Sequence, residues 1–203
     1  MDSDSRLKAE ARRCESAGRH QRALELYEEV LRSATLDPDA IPDPTLCLKV
    51  ADLHYRLDRP GEAMRGYREA AKLYEDLGLM VNAIAVWKKV ARVFPGEAEP
   101  FRRLSELQLD MGLVAEARGS LRAFAEASPE ETSHEDVVEA LRGFLDRDPD
   151  PELAILLARR LASRDDRPEA LETLRGVHAR VVQEGRKAAE LERELETLRQ
   201  REP

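Results

Sequence analysis

The sequence predicts an all-α chain, and three observations carry that expectation. Of 203 residues, 42% are hydrophobic and 36% charged, a balance that supports a folded chain over a disordered one. Only 4% are aromatic and just ten are Gly, so the core has to be built from Ala, Leu and Val, and the turn chemistry that sheets demand is scarce. Lastly, a pattern recurs 34 residues apart: Gly78-x4-Ala83-x3-Trp87 ending in Pro95, then Gly112-x4-Ala117-x3-Leu121 ending in Pro129.

Taken in order, the first two helices fall at about 5–17 and 20–34, joined at Gly18 and continued by Ala23 and Tyr27 in the same spacing. Residues 35–44 carry three Pro and three Asp, cannot continue a helix, and read as an acidic loop. Helices follow at about 45–57 and 61–77, the second bearing Pro60-Gly61-x-Ala63-x3-Tyr67. Since Ala63 and Ala83 are only 20 residues apart, the helix at 61–77 closes one repeat and opens the next. Helices at about 80–93, 98–111 and 114–127 carry the two clear copies, and an extra one is expected at about 134–147. After a helix at 151–164, Pro168-x-Ala170-x3-Leu174 opens a last one, in which Val182 replaces the Pro that ends the clear copies. Apolar residues then recur in heptad spacing through Val177, Val181, Ala188, Leu191, Leu195 and Leu198. A single helix over 168–201 is therefore expected, roughly 50 Å long at 1.5 Å per residue. Gly185 reads as a kink within it, weakening the helix by about 1 kcal/mol relative to Ala.

These motifs resemble the tetratricopeptide repeat family, whose 34-residue units are pairs of antiparallel helices. The first-helix pattern is also present, as Tyr67-x2-Ala70-Ala71-x2-Tyr74, Phe101-x2-Leu104-Ser105-x2-Gln108 and Ala154-x2-Leu157-Ala158-x2-Leu161. The resemblance covers nearly the whole chain and implies a superhelical array of helix pairs with a long C-terminal helix. The organisation expected is a first unit at 1–34, the acidic loop at 35–44, units with a shared helix at 45–129, C-terminal helices at 130–182 and a heptad-patterned extension at 183–203.

Composition and motifs narrow the function. A net charge of -8, from 33 basic and 41 acidic residues, argues against broad binding to nucleic acid. The longest clean apolar run, Leu153 to Ala158, is far below a membrane span, and the N-terminal residues lack a basic-then-apolar signal pattern. Cys14 and Cys47 offer neither a disulfide framework nor zinc spacing, so a cytoplasmic setting is expected. With six Lys among 33 basic residues and abundant Ala and Leu, the composition suits a high-GC bacterial genome. No Gly-rich phosphate loop, GxSxG elbow or HExxH helix occurs, and no catalytic residue, metal ligand or cofactor is assigned. Cys47 and His54 lie seven residues apart on one helical face, but without a third ligand or orienting carboxylate they read as packing residues.

The expected function is that of a non-catalytic interaction scaffold or adaptor for a protein or peptide. In the family, the fifth and ninth positions of each first helix line a concave groove. Mapped here, they include the basic residues Lys8, Arg12, Arg68, Lys72, Arg102 and Arg159, with Leu48, Asp52, Glu106 and Ile155 at the others. One reading is a positive groove for an acidic segment, with Arg pairing bidentately; the other is a solvated helix face. The family's two-carboxylate clamp is not matched, because Arg12 and Lys49 stand where it has Asn. An alternative role is a structural subunit that assembles through the C-terminal helix. Leu191, Leu195 and Leu198 can pack on a second copy, fold back on their own array, or stay exposed. The expectation adopted is a weak, concentration-dependent dimer.

Overall fold

The computed structural model describes residues 3–35, 43–129 and 133–200. Among them lie eleven helices and no strand: α1 (Ser3–Ser16), α2 (His20–Thr35), α3 (Pro44–Arg56), α4 (Pro60–Asp76), α5 (Met80–Val93), α6 (Glu99–Asp110), α7 (Val114–Ala127), α8 (His134–Arg147), α9 (Pro151–Ala162), α10 (Arg167–Gln183) and α11 (Ala189–Gln200). No helix among the described residues is long and apolar enough to cross a membrane. The acidic loop expected at 35–44 lies largely outside the described residues, which resume at Asp43. There the Asp43 side chain accepts the Thr45 backbone N–H at 2.9 Å and caps α3, while Pro44 takes the first helical position, where its missing N–H is no loss.

The chain forms two compact units, Met1–Phe94 and Pro95–Pro203. In the first, α1 pairs with α2 and α3 with α4, α2 packs on α3, and α4 packs on α5 as well. In the second, α6 pairs with α7 and α9 with α10, α8 packs on α7 and α9, and α11 lies on both α9 and α10.

Small side chains set the spacing within each hairpin. Ala11 and Ala23, Ala51 and Ala63, Ala71 and Ala83, and Ala158 and Ala170 are all completely buried, and in the α6–α7 pair buried Ser105 stands with Ala117. A large residue follows each second-helix Ala by four positions: Tyr27, Tyr67, Trp87, Leu121 and Leu174, all buried. The small residues let the helix backbones approach, and the large ones fill the space beyond the contact. Ser105 satisfies its buried hydroxyl by donating to the Arg102 carbonyl at 2.7 Å. Between α3 and α4 a glycine also stands at the contact. A Cβ added at Gly66 would stand 2.9 Å from the Ala51 Cβ and 3.3 Å from its Cα, a contact that no repeat position marks.

Among the described residues, six helix-to-helix turns close in one way. A residue with positive φ follows the first helix, and the next backbone N–H reaches back to the carbonyl five residues earlier, as in Leu79 to Tyr74 and Leu113 to Gln108, both 2.8 Å. Glycine fills the positive-φ position in four of these turns, but Asp58 (φ 57°) and Asp165 (φ 63°) fill it in the α3–α4 and α9–α10 turns.

The same turn corrects the C-terminal expectation. Gly185 has φ 72°, and the Arg186 N–H bonds to the Val181 carbonyl at 3.0 Å, so Gly185 terminates α10 rather than kinking one long helix. Residues 186–188 are non-helical, and α11 runs back over α9 and α10.

Two stability measurements check this account. Gly66→Val should overpack the α3–α4 contact and lower the unfolding free energy by about 1 to 3 kcal/mol in a denaturant titration. Asp165→Gly should raise it by about 0.5 to 1 kcal/mol, because an L-residue is strained at positive φ while glycine is not.

Candidate functional site

The α1 sequence places Lys8 and Arg12 one helical turn apart, and the α3 sequence does the same for Thr45 and Lys49. The structure brings these two pairs together in the first unit around a cavity of about 280 Å³, lined by Lys8, Arg12, Tyr27, Asp43, Thr45, Leu46 and Lys49. Its chemistry is mainly cationic. Lys8 Nζ stands 3.7 Å from the Asp43 carboxylate, and Lys49 Nζ lies over the Tyr27 ring, 5.6 Å from its centroid. Arg12 is exposed and makes no ion pair among the described residues. The Tyr27 hydroxyl donates to Glu15 at 3.4 Å, and burial, followed by the charge of Glu15, raises its pKa. Among the described lining residues, three cations therefore stand with one carboxylate.

Further along α3, Asp52 is already answered. It accepts from the Tyr67 hydroxyl at 2.7 Å and from Lys89 Nζ at 2.6 Å, tying α3, α4 and α5 together. Burial, and then the bond to Asp52, raises the Tyr67 pKa. Asp52 does not add a free negative charge to this face.

Only part of the expected basic groove converges. Arg68 and Lys72 are exposed on α4, and neither lines the cavity that holds Lys8 and Arg12. In the second unit, Arg102 donates to Glu106 on its own helix at 2.9 Å. Arg159 is held bidentately by Glu194 of α11, at 2.9 and 2.7 Å. Its guanidinium already has the kind of carboxylate partner that the expected groove would reserve for a ligand. Lys49, conversely, stands out in the sequence only as a departure from the family's Asn, and its place in one cavity with Arg12 comes from the fold of α1 to α3.

Leu191, Leu195 and Leu198 are buried in the second unit's own core, together with Leu157, Leu161, Leu174, Val177 and Val181. The stripe assigned to a second copy is thus covered by the same chain. The physical reason is the Gly185 turn, which returns α11 to α9 and α10 instead of projecting it outward.

Cys14 and Cys47 are buried free thiols. Burial first, then the charges of Glu69 and Asp43, push the Cys47 thiol up to about 11, which keeps it protonated at neutral pH and unsuited to nucleophilic work. His54 contacts Glu28 of α2 at 3.4 Å through Nε2, and among the described residues no group of three or more His, Cys, Asp or Glu side chains could hold a metal ion.

The helix pairs and their turns give the chain a tetratricopeptide-like fold. No family model and no curated protein matches the sequence. Among solved structures, the Rap conjugation gene regulator of plasmid pLS20, in complex with the Phr* peptide, is 15% identical, with 85% of this chain and 52% of that one covered and a TM-score of 0.39. This chain thus spans about half the length of that regulator. YrrB, described as a TPR protein with an unusual peptide-binding site, is 16% identical over 84% of this chain and 82% of its own, with a TM-score of 0.31. A thermophilic TPR protein of Thermus thermophilus is 18% identical over 97% of this chain and 98% of its own, with a TM-score of 0.28.

The buried leucines make a direct prediction about α11. Leu191→Ala should leave a cavity and cost about 2 to 5 kcal/mol, seen as a lower melting midpoint, without changing a concentration-independent sedimentation coefficient. A parent coefficient that rises with concentration, and stops rising in the variant, would restore the intermolecular role.

Proposed function

We propose that the protein is a non-catalytic interaction module that anchors an acidic segment of a partner protein in the Lys8–Arg12–Lys49 cavity of its first unit. The observation carrying this reading is the convergence of three cations from two helices upon a cavity whose described lining holds one carboxylate, in a chain whose net charge is -8. Such a local reversal of sign favours an anionic partner over the acidic background. Arg12 supplies a planar fork for a carboxylate, while the two lysines supply movable point charges. The arginines at groove positions in the second unit, Arg102 and Arg159, are engaged by Glu106 and Glu194, which makes the first unit the better anchor.

A fluorescein-labelled glutamate-rich peptide tests the reading by anisotropy. Affinity should fall as salt is raised, since exposed charges are screened beyond about 8 Å at physiological ionic strength. The double variant Arg12→Glu, Lys49→Glu should lower affinity by about tenfold or more with unchanged helical circular dichroism, whereas Lys72→Glu should bind like the parent. Equal binding by the parent and the double variant removes the cavity as the anchor.

A further inference from the structure

We infer that the Lys8–Arg12–Lys49 cavity takes a phosphate dianion carried on a serine or threonine side chain of the partner segment. This rests on the acidic-segment reading and sharpens it. Among the described lining residues, Lys8, Arg12 and Lys49 stand with one carboxylate, Asp43, which is shared between Lys8 and the Thr45 N–H it caps, so this lining carries two positive charges in excess. One carboxylate leaves one of them unanswered. Two carboxylates on an extended segment cannot both reach the cavity from adjacent positions, because successive side chains point to opposite sides. At alternate positions they start roughly 6.6 Å apart. A phosphate monoester places its charge of about -1.5 to -2 on one centre, with three acceptor oxygens.

The donors are arranged to meet such a centre. Arg12 and Lys8 come from one helix and Lys49 from another, and the Tyr27 ring and Asp43 bias the two lysines without neutralising both. Thr45 adds a hydroxyl to the wall, 3.3 Å from the Tyr74 hydroxyl. The volume of about 280 Å³ admits a phosphorylated side chain, and Arg12 at the rim leaves it open to solvent.

The test is an NMR titration of the full chain, following the backbone amides of residues 8, 12, 45 and 49. The probes are hexapeptides of Gly, Ala and Ser that share one central position, occupied by phosphoserine, glutamate, a Glu-Glu pair or serine, and inorganic phosphate by itself. The phosphoserine peptide should bind about tenfold more tightly than the single-glutamate peptide and more tightly than Glu-Glu or inorganic phosphate. Arg12→Gln and Lys49→Gln should each remove most of that advantage. Asp43→Asn keeps an N-cap but removes the opposing charge, and should tighten phosphoserine binding several-fold. Equal or better binding of either glutamate peptide overturns the dianion inference while leaving the acidic-segment reading standing. Inorganic phosphate binding as tightly as the phosphopeptide overturns the peptide-borne source. If no anionic probe shifts these amides, both readings fail.

Discussion

Everything in this chain depends on how closely two helices can pass at the small residues. At buried Ala11 and Ala23, and at Ala51, Ala63 and Gly66, the side chains are too small to hold the backbones apart, so each hairpin can close tightly and the large residues have one place to go. That geometry turns the remaining faces of α1 and α3 toward a common space. Lys8, Arg12 and Lys49 line one cavity because α1 and α3 both border the wall formed by Tyr27 and Leu46, not because the cations attract one another. Desolvating like charges opposes their meeting, and the packed hairpins impose it.

Charge is used differently in the two units. In the second, Arg118 pairs with Asp148 and Asp150 at 2.8 and 2.9 Å, Arg122 with Glu152, Arg142 with Glu169 and Arg159 with Glu194, so many of its acids are met by its own arginines. Most of these pairs are partly exposed, and each contributes little to stability on its own. Their effect is on recognition, since a guanidinium held bidentately by Glu194 has less to offer a passing carboxylate. In the first unit, Arg12 is left without such a partner among the described residues.

Much of this was legible in the sequence, for identifiable reasons. Helix positions follow from a Gly or Pro near each boundary and an Ala at a fixed offset, both local signals that survive packing. The ends agree within a few residues for α1 to α9. At Gly185 the helix propensity of glycine is a poorer guide than its position: it follows Val181 by four residues as Gly78 follows Tyr74, and the absence of an Ala five residues later hides the equivalence. Lys49 was obscured because a family register marks what is expected at a position, whereas this cavity uses what is unexpected there. The Arg159–Glu194 pair, 35 residues apart, required the fold-back of α11 and had no signature of its own.

Arg160 connects helices that are not neighbours in order. Buried on α9, it donates to the carbonyls of Ala125, Ser128 and Pro129 at 3.1 to 3.3 Å, closing the C-terminal end of α7. Arg180 of α10 does the same for the end of α8 through the Leu145 and Asp146 carbonyls. Repeat proteins are usually described as chains of nearest-neighbour couplings, in which one end frays while the rest holds. Here a fraying α7 would strip a buried guanidinium of its acceptors, and the loss would be felt on α9. Hydrogen exchange in this unit should consequently proceed by concerted opening of a block of helices, making it one cooperative foldon rather than a zipper.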